Sequence, residues 1–201
     1  MKITAIKQQV KRADRYSVYV EGKYAFSLSE GALIEQKLAS GQELDAAQLD
    51  ALKHTAGMDK AYGNALRYVA MRQRSEWELT QYFRRKGIDE GAGQQIMERL
   101  RAIGFVDDLA FAQAWVNNRR TLKATSKRRL IQELKQKHVD ESSIQQALEE
   151  DETDERDTLR QLVERKRQIA RYRDDPLKLM QYLARQGFNY DDIKSALQAG
   201  D

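Results

Sequence analysis

Between Arg119 and Lys137 the sequence places eight Lys or Arg residues against a single acid, Glu133. A second run, Arg165, Lys166, Arg167, Arg171 and Arg173, holds no acid at all. The whole 201-residue chain has a net charge of only +4, so these are local concentrations on a nearly neutral background. Such clusters attract phosphate or an acidic protein surface. The plainer reading of either cluster is a solvated helix face. Arg119, Arg120, Lys123, Lys127, Arg128 and Arg129, extended by the second run, are therefore the candidate contact residues for nucleic acid or a partner.

Catalysis has few groups to use. The histidines are His54 and His138, and cysteine is absent, which removes disulfides and thiolate metal sites and suits a reducing compartment. The sequence contains no HExxH pair, glycine-rich phosphate loop or nucleophile elbow. Asp107-Asp108 and Glu149-Glu150-Asp151-Glu152 offer adjacent carboxylates. A helix cap accounts for the first pair, and a solvated linker leading into a helix start accounts for the run. No catalytic, cofactor or metal residue is assigned. Phe111 and Trp115, one helical turn apart, read as packing residues. Trp77, Tyr68, Tyr172 and Tyr182 read as packing too, with stacking on unpaired bases as the alternative.

The elements that must carry these groups change character along the chain. Tyr16, Val18 and Val20 alternate with Ser17, Tyr19 and Glu21. After Gly22-Lys23, Tyr24, Phe26 and Leu28 alternate with Ala25 and Ser27, which is the pattern of a β-hairpin. Ile3 to Val10 supplies a further strand. A lone hairpin is marginal in water, so this head, residues 1–57, needs a helix of its own, over 29–38 or 45–54. The start MKITAIKQQVKRADRY has no apolar run behind its lysines, and no stretch approaches the ~18 apolar residues of a spanning helix. A soluble, cytoplasmic protein is expected.

From residue 59 the period becomes helical and the sequence repeats. SEWELTQYFRRKGID (75–89), SKRRLIQELKQKHVD (126–140) and DPLKLMQYLARQGFN (175–189) align by eye. Each starts on a capping residue, Ser75, Ser126 or Asp175, and Pro176 occupies the first helical position. Ser75 and Glu78 have the spacing of a capping box. Leu79, Leu130 and Leu179 recur four residues after the cap, and Phe83, Leu134 and Leu183 four later, on one helix face. Gly87 and Gly187 suit the left-handed residue past a helix end, with His138 in the equivalent place. Asp89, Asp140 and Asn189 cap a third helix, and Asp59–Gln73, Asp107–Arg120 and Asp154–Arg171 open the units. The expected fold is mainly α: tandem three-helix repeats over 58–106, 107–152 and 153–201, forming an elongated curved body behind a small β-hairpin head.

Gly104-Phe105-Val106-Asp107-Asp108, followed by Phe111-Ala112, Ala114-Trp115-Val116 and Arg119, resembles the signature of the RecX family. Ala65-Leu66-Arg67-Tyr68, Lys178 to Gly187-Phe188, and the head with Val20-Glu21-Gly22-Lys23-Tyr24-Ala25-Phe26 and Gly41-Gln42-Glu43-Leu44 extend the resemblance to nearly the whole chain. His138 departs from it, because the family usually has glycine there. The resemblance implies a non-enzymatic monomer without cofactor that binds the RecA recombinase filament. It would meet single-stranded DNA directly or through that filament and modulate recombination and repair, usually by inhibition. The competing reading is a helix-turn-helix protein acting on DNA, since Leu130–Lys137, the His138-Val139 turn and Asp140–Leu148 have suitable lengths. Its would-be recognition helix, DESSIQQALEED, is acidic.

Overall fold

Ile3, Val18, Val20, Phe26 and Leu28 fall on one face of an antiparallel sheet and are buried there. A computed structural model, which describes residues 1–198, orders its strands β1 (Ile3–Gln9), β2 (Arg12–Val20) and β3 (Lys23–Ser29). Val18 stands opposite both Ile6 and Phe26, so alternation places every apolar member on the same side. The β2–β3 turn has positive φ at Glu21 (48°) and Gly22 (77°), the geometry of a tight two-residue hairpin loop. Residues 41–44 run beside β1: the Ile3 N–H donates to the Gln42 carbonyl at 2.9 Å, and the Gly41 N–H to the Ile3 carbonyl at 2.8 Å.

Two helices complete the head, α1 (Glu30–Glu35) and α2 (Ala46–Ala70). Leu44, Leu49, Leu52 and Ala56 close the core over the sheet. The helices expected separately over 45–54 and 59–73 are one 25-residue helix, and the boundary expected at 57/58 lies inside it. Gly57 weakens a helix by only ~1 kcal/mol, which a strong start at Asp45, with a full capping box to Gln48, and burial on both sides outweigh. Mid-helix Asp59 binds the Arg15 guanidinium at 2.9 Å, with the two side chains 3% and 12% exposed. Asp59 also accepts from the Ser29 N–H at 2.8 Å and from the Ser29 hydroxyl. One carboxylate thus ties β2, the start of α1 and α2 together.

The remaining helices are α3 (Glu76–Arg85), α4 (Glu90–Ala102), α5 (Asp108–Lys123), α6 (Lys127–Lys135), α7 (Glu141–Glu149), α8 (Glu155–Arg167), α9 (Ala170–Arg173), α10 (Pro176–Arg185) and α11 (Tyr190–Gln198). The three repeated turns all pass through a left-handed residue: Gly87 at φ 65°, His138 at 55° and Gly187 at 91°. In each, the N–H of the residue after the left-handed one folds back, Ile88 to Phe83, Val139 to Leu134 and Phe188 to Leu183. The opening helix of the third repeat is shorter than expected. It stops at Arg167 and resumes as the four-residue α9, so 154–171 is not one helix. Two compact units result, Met1–Arg72 with Tyr82–Phe105, and Gln73–Gln81 with Val106–Asp201.

Candidate functional site

Within the second unit, a serine at the head of a repeat's middle helix bonds the repeat that follows. The Ser75 hydroxyl accepts the Glu78 N–H at 3.2 Å, capping its own helix, and donates to the Lys137 carbonyl at the end of α6, 3.1 Å away. Ser126 does the same, accepting from the Arg129 N–H at 3.2 Å and donating to the Gln186 carbonyl at 2.7 Å. A hydroxyl can accept and donate together, which is why serine serves both roles. Beside each serine, the next free N–H is taken by a carboxylate from the following repeat. Glu76 N–H meets Asp108 at 2.8 Å, and Lys127 N–H meets Glu155 at 3.2 Å. The third copy has Asp175 and Pro176: an ionised carboxylate has no proton to give and proline no N–H. The chemistry that joins successive repeats is therefore absent from the last one.

Asp108 is distorted by this position. Its carboxyl is raised from the ordinary 3.8 to about 6, first by burial and then by the charges of Glu76, Asp140 and Asp107, against the pull of the Glu76 N–H. A carboxyl with a raised folded-state pKa binds protons more tightly when folded, so its contribution favours the fold at low pH and fades as pH rises through about 6. Asp108→Asn, which keeps an acceptor for Glu76 without charge, is expected to gain on the wild type between pH 5 and pH 7.5. Melting curves of both proteins across that range check it; a pH-independent difference would mean that the carboxyl titrates normally.

The same joints sort the basic clusters. Arg120 is inside, its side chain 7% exposed, paired with Asp151 at 2.8 Å and donating to the Thr125 carbonyl at 2.6 Å. Arg119 pairs with Glu133 at 2.6 Å and lies over the Trp115 ring at 4.5 Å. Arg129 reaches Glu133 at 3.3 Å and the Arg185 carbonyl and Gln186 side chain at 3.1 Å each. Burial alone would raise the Glu133 carboxyl, but hydrogen bonds from Arg119, Trp115 and Arg129 hold it below the usual range. Three of the six candidate cations of the first cluster are thus built into the fold. The other three, Lys123, Lys127 and Arg128, are exposed. Among the described residues they have no acid within ion-pair distance.

The second run divides similarly. Arg167 donates to the Leu197 carbonyl at 2.7 Å. Lys166 lies over Tyr182 and Tyr172, at 4.8 and 5.8 Å. Arg171 is 5.8 Å from the Tyr172 ring, and Arg173 pairs with its neighbour Asp174 at 3.0 Å. Arg165 is open to solvent.

Lys127, Arg128 and Arg129 are the first three residues of α6, whose first turn holds no acid. Cations there oppose the helix dipole by roughly 0.3–1 kcal/mol each. The first turns of α3, α4, α5, α7, α8 and α11 are acidic instead. Arg129 is accounted for by the joint; helix stability gives no reason for Lys127 or Arg128.

The two histidines stand apart. His54 is exposed on α2, while His138 stacks on Trp77 with centroids 4.8 Å apart and planes 21° apart. Tyr68 stacks on Tyr82 at 4.3 Å, and Tyr172 meets Tyr182 at 5.3 Å. Packing thus accounts for these aromatics. Asp107 caps α5 through the Ala110 N–H at 3.0 Å. Among the described residues, no group of three or more His, Asp or Glu is placed to hold a metal ion. Nor is any helix there long and apolar enough to cross a membrane.

Comparison with known proteins assigns the lineage. Residues 1–45 match the family model described as the regulatory protein RecX N-terminal domain. Residues 61–100, 107–148 and 153–197 match the first, second and third RecX three-helix domains. Regulatory protein RecX of Oceanobacillus iheyensis is 31% identical over 210 residues, covering 100% of this chain and 77% of that protein. That of Bacillus pumilus is 30% identical over 200 residues, covering 98% and 76%. The chain belongs to the RecX family. A solved structure of a regulatory protein RecX, 28% identical, superposes with a TM-score of 0.75 over 98% of both chains. RecX from Lactobacillus salivarius, at 24% identity and a TM-score of 0.60 over 71% of this chain, shares the fold. The sequence resemblance thus holds over the head and all three repeats. His138 adopts the left-handed backbone that glycine supplies at Gly87 and Gly187, and its ring stacks on Trp77.

Proposed function

We propose that this chain is a cytoplasmic, non-enzymatic regulator of the RecA recombinase, which binds the recombinase filament on single-stranded DNA and lowers its activity during repair and recombination. RecX membership over the whole chain supports the regulatory role. The observation that carries a contact surface is the pair of unneutralised cations in the first turn of α6, with Lys123 nearby in sequence at the end of α5. These side chains oppose helix stability and pair with no acid, so phosphate or an acidic protein face is their natural complement. Arg165 and Arg171 extend the set. Arg120 falls out of it, and Arg119, Arg129 and Arg167 act chiefly on the fold.

The test uses the purified chain, a cognate recombinase, single-stranded DNA and ATP. The wild type is expected to lower ATPase or strand-exchange rate as it is titrated in. If about four cations engage phosphates, the log–log salt slope of binding should be roughly −3, and Lys127→Gln with Arg128→Glu should bring it to roughly −1.5. Removing positive charge from a helix N-terminus should leave the melting temperature unchanged or raise it. Weaker binding with equal or greater stability is the signature of a contact surface. Unchanged recombinase activity at every stoichiometry, together with tight binding to a specific duplex, would instead favour the helix-turn-helix reading. The structure offers that reading little, since α7 buries Ile144, Ala147 and Leu148 and exposes Glu141 and Glu149.

A further inference from the structure

The face of the head's sheet turned away from its core has a composition of its own. Strand register sets Ala5, Tyr19 and Tyr24 in one row and Lys7, Ser17 and Ser27 in the next. Tyr24 is 58% exposed. Tyr19 meets it edge-on, with centroids 6.1 Å apart and an interplanar angle of 81°. The Lys7 ammonium lies 5.6 Å from the Tyr19 ring centre, and the Gln9 amide donates to the Ser17 hydroxyl at 3.0 Å. No carboxylate belongs to either row.

Charge is concentrated around this face as well. Residues 1–29 contain six basic residues, Lys2, Lys7, Lys11, Arg12, Arg15 and Lys23, against two acids, Asp14 and Glu21. Arg15 is buried on Asp59 and Arg12 has Asp14 at 3.7 Å. Lys2, Lys7, Lys11 and Lys23 are exposed, with no ion pair among the described residues. A cross-strand tyrosine pair alone would be ordinary sheet stabilisation. It does not explain why Lys2, Lys7, Lys11 and Lys23 stand exposed without an ion pair in the strands and their connections, nor why the more exposed ring gains so little burial from the pairing.

We infer that this sheet face is a binding platform for single-stranded DNA, with Tyr24 and Tyr19 presenting ring faces or edges to unpaired bases and Lys7 meeting a flanking phosphate. Exposed aromatics on a cationic surface are what a strand without fixed sequence requires, because every base has a face to stack and every linkage a charge. A duplex buries its base faces and can use only the lysines. An apolar protein partner would find hydroxyls and ammonium groups in place of aliphatic surface. The inference deepens the proposed action on DNA-bound recombinase but concerns residues remote in sequence from Lys127 and Arg128. It is tested without recombinase, so its failure would leave the regulator reading standing.

The experiment measures fluorescence anisotropy of a labelled oligothymidylate with the full chain, in the wild type and in the Lys127→Gln/Arg128→Glu background. Tyr24→Ala is expected to weaken binding roughly tenfold. Tyr24→Phe, which keeps the ring, should bind as the wild type does. Lys7→Glu should weaken binding and reduce the salt slope by about 0.7. A duplex of the same length should compete poorly. Equal binding by Tyr24→Ala and wild type in both backgrounds overturns the inference. Should Tyr24→Ala lower the melting temperature, photo-crosslinking of an iodouracil-containing oligonucleotide to the wild-type chain decides. Crosslinks on the peptides bearing Tyr19 or Tyr24 uphold the platform, and crosslinks confined to other segments overturn it.

Discussion

Asp59→Ala is expected to destabilise the head by about 3–5 kcal/mol, the range seen when one partner of a buried ion pair is removed. The carboxylate has three partners: the Arg15 guanidinium and both the N–H and hydroxyl of Ser29. Its loss leaves Arg15, 3% exposed, charged in a site where only the Ser27 carbonyl, 2.8 Å away, and the Ser27 hydroxyl remain. It also strips the Ser29 N–H of its acceptor at the start of α1. The effect should appear as lost hydrogen-exchange protection in β2 and β3, and as a lower denaturant midpoint. Arg15→Met combined with Asp59→Leu removes both charges and should recover much of the loss, because apolar replacements of a buried pair are often neutral or stabilising. An Asp59→Ala cost below ~1 kcal/mol would show that water reaches the guanidinium and that the pair behaves like a surface one.

That network lies beyond what local sequence signals specify. Period-two alternation locates β2 and β3, and the caps Ser126, Asp140 and Asp175 locate α6, α7 and α10, because those signals lie within a few residues of the elements they specify. Arg15 and Asp59 are 44 places apart, and nothing local tells the buried Arg15 from Arg12 on the same strand. The single helix across residue 57 is hidden from local signals for a related reason. Gly57 lowers helix propensity locally, while the burial that overrides it at Leu49, Leu52 and Ala56 comes from the sheet. The opposite holds between Arg167 and Ala170, where an unbroken helical pattern in the sequence conceals a break. Among the basic residues, clustering was visible but direction was not: Arg119 and Arg120 are adjacent, and 100° of helix rotation sends one to Glu133 and Trp115 and the other inward to Asp151. One signal of contact between repeats does stand in the sequence. Two repeats begin their middle helix with Ser and the third with Asp-Pro, and a capping role alone makes those interchangeable. Only a second task for the hydroxyl, donating to the next repeat, separates them.

That second task makes Gly187 the position where one methyl group should do the most damage. The three turn residues Gly87, His138 and Gly187 are equivalent in the repeat but differ in surroundings. A Cβ at Gly87 would meet nothing within 4 Å, whereas at Gly187 it would lie 2.5 Å from the Ser126 hydroxyl and 3.3 Å from both the backbone nitrogen and Cβ of Arg129. Gly87→Ala should therefore cost only the left-handed penalty, roughly 1–2 kcal/mol. Gly187→Ala carries that penalty at φ 91°, and in addition must push back the helix start that caps α6 and bonds the Gln186 carbonyl. With overpacking at about 1–3 kcal/mol and a hydrogen bond near 1, a total of about 3–6 kcal/mol is expected. Hydrogen exchange should show it as lost protection at the Arg129 amide and through α10. The coupling has a sign that simple loss of contacts would not give. Ser126→Ala removes the clashing oxygen, so Gly187→Ala should be milder in that background, and the two costs should sum to more than the double variant shows. His138 shows that the turn itself tolerates a side chain where its neighbour leaves space for one. If Gly187→Ala proved no costlier than Gly87→Ala, the second and third repeats would have to meet more loosely than a 2.7 Å hydroxyl–carbonyl bond allows.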